Sequence, residues 1–133
     1  MTPVVGILAG SKSDMPVLEE CATCLEELGI EREIEVRSAH RDPEGVSEYA
    51  GSARERGLKV IICAAGMAAH LAVAVAAGPL NGFDSLLSTV QMSSGVPVAT
   101  VAMNGAMNAA VLATQVLALS DPDLAERLGG GTL

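Results

Sequence analysis

The run Ser38-Ala39-His40-Arg41-Asp42-Pro43 places a hydroxyl, an imidazole and a guanidinium within four consecutive positions. An imidazole titrates near neutral pH, so it can both give and take a proton. A guanidinium is a planar fork that fits phosphate. His40 is one of only two histidines in the chain. The same residues would also suit a solvated surface turn, and in isolation they do not decide between the two. Asp42, however, is a good N-cap, and Pro43 suits a first helical position, where its missing N–H would have no partner anyway. The run therefore reads as a strand-to-helix turn. In an open α/β sheet such a turn lies at the carboxyl edge of the strands, where ligands bind.

Two other stretches have this form. Gly10-Ser11-Lys12-Ser13-Asp14 follows a branched apolar run and opens a helix. It offers an anion a glycine for close backbone approach, two hydroxyls and the amides of a helix start. It matches neither a Walker motif nor the G-x-G-x-x-G spacing, so by itself it is weak evidence. Gly66-Met67-Ala68-Ala69-His70-Leu71 follows the apolar run 58–65 and carries the second histidine. A lone histidine on an alanine-rich helix is most often packed or capping, but a place on a third strand exit strengthens the case for function. Three such turns converging on one sheet edge would make a small-molecule site. Cys21 and Cys24 form a C-x-x-C pair inside the apolar stripe of a helix, with no second Cys/His pair following. Core packing is favoured there over metal or redox chemistry.

The elements that must position these turns follow from periodicity. Residues 3–9 read as a strand buried on both faces. Val17, Leu18, Cys21, Cys24, Leu25 and Leu28 then recur at helical spacing over 16–28, with Gly29 as the stop. A strand at 33–37, a helix at 43–56 closed by Gly57, and a strand at 58–65 continue the alternation. A small-residue helix runs to Ala77. Gly78-Pro79-Leu80-Asn81-Gly82 is then too short and too rich in turn formers to be the strand that is due. Helix 83–92, strand 96–102 and helix 106–119 follow, and a glycine-rich tail that looks frayed ends the chain. The alternation predicts a doubly wound parallel sheet, flavodoxin-like or Rossmann-like, in three αβα layers. Helices at 68–77, 83–92 and 106–119 are apolar on more than one face, which predicts an oligomer.

A chain of 133 residues supports one domain. Half of it is hydrophobic but only 2% is aromatic, so the core must be aliphatic. The net charge of −8 argues against a nucleic-acid surface, though not against binding an anion locally. No apolar run approaches the ~20 residues of a membrane span. Three cysteines and no leader-like start point to reduced thiols in a cytoplasmic protein.

Gly10-Ser11-x-Ser13-Asp14, Ser38-Ala39-His40-Arg41 and Ala65-Gly66-x-Ala68-Ala69-His70-Leu71 resemble the signature loops of the PurE family, the 5-(carboxyamino)imidazole ribonucleotide mutases of purine biosynthesis. The stretch Leu80 to Ser88, with Gln91-Met92 and Gly95 to Thr100, resembles the same family. The resemblance spans residue 4 to about residue 119. It implies that Ser11, Ser13 and Asp14, with Gly10, hold the ribose phosphate region, and that Arg41 helps to bind the phosphate. Ser38, Ala39, Ala65, Gly66, Ala68, Ala69 and Leu71 would enclose the aminoimidazole. His40 would be the general acid/base, and His70 would orient or protonate the carboxylate. The carbamate would leave nitrogen as CO₂ and attach to the adjacent ring carbon inside a closed, dry pocket, with no metal or cofactor. The family further implies a homo-octamer.

Three features depart from the family pattern. Met67 stands where glycine is usual, and Met107 where lysine is usual. Between Ala77 and Gly78 the family carries a further strand and loop, and this chain has nothing in its place. Losing an inner strand of a parallel sheet should abolish folding. The expectation is therefore that residues were omitted from the sequence rather than deleted from the protein. Beside the mutase stand two alternatives: a carboxylase using free CO₂, and an inactive relative that binds nucleotide or serves in assembly.

Overall fold

Val5–Ala9 forms β1, a strand of branched and small residues buried at every position. The computed structural model describes residues 2–38, 41–64, 94–101 and 105–130. Within them β1 is the central strand, flanked by β2 (Arg32–Val36) and β3 (Val60–Ala64), all parallel, in the order β2-β1-β3. The crossover between β1 and β2 contains α1 (Met15–Glu27), and that between β2 and β3 contains α2 (Pro43–Ala53). Residues alternate across a strand, so β1 serves two cores. Val5, Ile7 and Ala9 pack with Leu18, Cys21, Leu25 and Leu28 around α1. Leu8 packs with Val46, Tyr49 and Leu58 around α2. Helix α3 (Ala106–Ala118) joins the α1 side through Ala110 and Leu117. The described residues therefore form the expected αβα layers.

The spacing of α1 resolves as predicted. Leu18, Cys21, Cys24, Leu25 and Leu28 are buried, and Val17 packs against them half-buried. Burial raises the Cys21 thiol to about 11, with Cys24 adding to the effect, so the pair belongs to the core. The helix stops at Gly29, whose φ of +74° only glycine adopts at little cost. Arg127 donates to the Leu28 carbonyl, one of the groups a helix end leaves without an internal partner.

One expectation needs correction. Residues 96–101 form no strand, although Val96, Val98 and Val101 stay half-buried between more exposed neighbours. A strand needs a partner to pair with, and the extra strand implied by the family resemblance has no counterpart in this chain. Ahead of the glycine-rich tail lies a helix that periodicity did not mark. Pro122–Gly129 forms α4, with Asp121 accepting from the amides of Asp123 (3.1 Å) and Leu124 (3.3 Å) and Leu124 buried. Whether the shortfall after Ala77 is an omission turns on the Ala77–Gly78 junction. The junction itself, the helices expected at 68–77 and 83–92, and the turn at Gly66–Leu71 lie outside the described residues.

Candidate active site

Register places the three strand exits level with one another. Ala9 lies opposite Val36 on one side and Ala64 on the other. Beyond the ladder, Arg37 N donates to Ala9 O at 2.8 Å and Gly10 N donates to Ala64 O at 3.2 Å. The exits of β1 and β2 border one open pocket, lined by Gly10, Ser11, Lys12, Arg37, Ser38 and Arg41, with Val36 and Asp42 at its side.

Each turn is held by its own hydrogen bonds. On the β1 side, Ser11 to Asp14 closes into a single 3₁₀ turn, with Asp14 N donating to Ser11 O at 3.2 Å. Asp14 Oδ2 accepts from Ser11 N at 3.3 Å and from Ser11 Oγ at 3.5 Å. Among the described residues, a Cβ on Gly10 would make only ordinary contacts, 3.6 Å from Ala64 O.

On the β2 side, Ser38 spans the turn. Its carbonyl accepts from Asp42 N at 2.8 Å, and its Oγ accepts from Arg41 N at 3.2 Å. The Ser38 hydroxyl keeps its own proton to donate elsewhere. Asp42 caps α2 as expected, Oδ1 accepting from Gly45 N at 3.0 Å. Gly45 is needed at that point, because a Cβ would collide with the Asp42 carboxylate. Arg37 ties the strand exit to this cap, with Nε donating to Glu35 Oε2 at 3.0 Å and its guanidinium 3.9 Å from Asp42 Oδ2.

The structure therefore brings Gly10, Ser11, Ser38 and Arg41 to one pocket and sets Asp14 behind Ser11. Ser13 lies in the same 3₁₀ turn. Ala39, His40, Ala65, Gly66, Ala68, Ala69, His70 and Leu71 lie outside the described residues. Lys12 and Arg37 line the pocket without having been singled out by the motifs. Lys12 stands at the variable place between the two serines, and Arg37 is the last residue of the strand expected at 33–37. On β3, burial pushes the Cys63 thiol up to about 12, which favours the protonated form over the reactive thiolate.

A family profile described as AIR carboxylase matches residues 4–130, almost the whole chain. The chain belongs to the AIR carboxylase family. Among curated AIR carboxylase relatives, an N5-carboxyaminoimidazole ribonucleotide mutase of Pyrococcus horikoshii is 50% identical over 139 residues, covering 95% of this chain and 78% of that protein. The enzyme of the same name from Bacillus subtilis is 48% identical over 143 residues, covering 96% and 88%. A crystal structure of Treponema denticola PurE superposes with a TM-score of 0.82 at 28% identity, covering 96% of this chain and 88% of that one. The sheet is therefore the flavodoxin-like α/β sheet of this family. An alignment of 139 residues that covers 95% of a 133-residue chain leaves about a dozen residues of the Pyrococcus protein without a counterpart here. That is the size of one strand and its turn, as the break at Gly78–Gly82 requires.

Proposed function

We propose that this protein is an N5-carboxyaminoimidazole ribonucleotide mutase, converting its substrate to 4-carboxy-5-aminoimidazole ribonucleotide in purine biosynthesis. The observation that carries the reading is one pocket receiving the Gly10–Asp14 and Ser38–Asp42 turns in a chain about half identical to enzymes of that name. The phosphorylated ribonucleotide is held from two sides. Arg41 offers a bidentate fork to the phosphate. Asp14, acceptor-only when ionised, suits the ribose hydroxyls better than the phosphate. Ser38 and Ala39, with Ala65, Gly66, Ala68, Ala69 and Leu71, enclose the aminoimidazole.

His40 stands in sequence between Ser38 and Arg41, both of which line the pocket. It acts as general acid and base. As the N–CO₂ bond breaks, it protonates the ring nitrogen substituent. As the new C–C bond forms, it takes the proton from the ring carbon. His70 orients the carboxylate. The residues supply this chemistry with an imidazole alone and no cofactor. Placement in the cytoplasm and assembly into a homo-octamer complete the reading. The apolar exposure of α3 supports the assembly, with Met107 56% and Val116 48% exposed. Steady-state turnover of the carboxyamino nucleotide tests the function. Turnover only with the uncarboxylated nucleotide and bicarbonate would overturn it in favour of the carboxylase.

A further inference from the structure

Three of the chain's eight lysines and arginines, Lys12, Arg37 and Arg41, line one pocket of a protein whose net charge is −8. They are not equivalent. Arg37 is engaged by the carboxylates of Glu35 and Asp42, which neutralise it locally. Arg41 is already assigned to the phosphate. Lys12 is exposed and forms no ion pair among the described residues.

The turn around Lys12 is a poor phosphate site without it. Asp14 Oδ2 takes the Ser11 amide, one of the donors a helix start would offer an anion. The Asp14 carboxylate also brings negative charge to the place where a phosphate would approach. A cation between Ser11 and Asp14 is what offsets that charge. We propose that Lys12 is a further substrate-binding residue, contacting the phosphate from the β1 exit while Arg41 contacts it from the β2 exit. This rests on the function proposed above. A lysine is a compact charge on a flexible stem, so it follows the phosphate where the fork of Arg41 fixes its orientation.

The test uses the full-length protein in four forms: unaltered, Lys12→Gln, Lys12→Arg, and Arg54→Gln as a control that removes an exposed cation elsewhere. KM for the carboxyamino nucleotide should rise about tenfold in Lys12→Gln, with kcat retained, and return most of the way in Lys12→Arg. The decline of kcat/KM with added salt should be shallower in Lys12→Gln. Arg54→Gln should match the unaltered protein. An unchanged KM in Lys12→Gln, or an equal rise in Arg54→Gln, would overturn the contact and leave the mutase reading standing. Calorimetry with ribose 5-phosphate separates the two claims. Should the unaltered protein fail to turn over the nucleotide, the function falls, and Lys12 is judged by this probe alone. Weaker binding in Lys12→Gln upholds the contact, and equal binding refutes it.

Discussion

Ser38 fastens both ends of the turn whose middle is Ala39-His40, through its carbonyl to Asp42 N and its hydroxyl to Arg41 N. None of those bonds depends on the imidazole. His40→Asn should therefore leave the fold unchanged by circular dichroism while kcat falls roughly 10²–10⁴-fold, the share that proton transfer contributes. Activity kept in that variant would remove His40 from the mechanism. A second residue-scale test concerns Glu33, at the opposite, amino end of β2. Burial would raise its carboxyl, but hydrogen bonds from Tyr49 and Arg56, each 2.7 Å from Oε1, outweigh that and hold it below the ordinary 4.5. A carboxyl depressed in the folded state stabilises the fold above its unfolded pKa. That contribution is lost as pH falls from 4.5 through the lower folded value. Chemical denaturation should show Glu33→Gln weaker than the parent at neutral pH, with the gap shrinking under acid. A gap that ignores pH would mean that these bonds do not hold Glu33 ionised.

Among the elements, α4 shows how one signal can be read in two ways. Asp121-Pro122 suits the stop of the preceding helix, yet the same pair is an N-cap and a first helical residue. What decides is tertiary: Leu124 buried in the α1 core, and Arg127 on the Leu28 carbonyl. Asp121→Ala leaves two amides without their acceptor and should lower stability by ~1 kcal/mol, read as a shifted denaturation midpoint. No shift would mean that packing alone holds α4. The strands and helices through Ala64 were legible because each buries a stripe whose period local sequence carries. Residues 96–101 alternate like a strand and still form none, since pairing depends on a neighbour that periodicity cannot report. The site was legible at the strand exits, where Asp42-Pro43 and the serines mark turns. Lys12 and Arg37 were not, because a charged side chain at a variable position looks the same facing a pocket as facing solvent.

For the whole molecule the question is what covers α3. The helix turns Ala106, Ala110, Ala113, Thr114 and Leu117 inward, and the buried Thr114 hydroxyl is satisfied by donating to Ala110 O at 2.7 Å. Its other faces carry no charge and only two exposed polar residues, Asn108 and Gln115. Met107 and Val116 are exposed there, and Leu119, just beyond its end, is 88% exposed. A helix apolar around most of its circumference is stable in water when a second surface covers it. In a closed symmetric assembly that surface is another copy. Light scattering at micromolar concentration should therefore return a multiple of the 13.5 kDa chain mass, eight-fold if the family's assembly is kept. The double variant Val116→Glu, Leu119→Glu sharpens this. In a lone chain both carboxylates would face water and change stability by only about ±0.5 kcal/mol. In an interface they would be buried without partners, which is far more costly. The variant should consequently stay folded and fall to a smaller mass. A monomeric parent would sink the assembly, whereas a parent and variant of equal, multiple mass would move the interface away from α3.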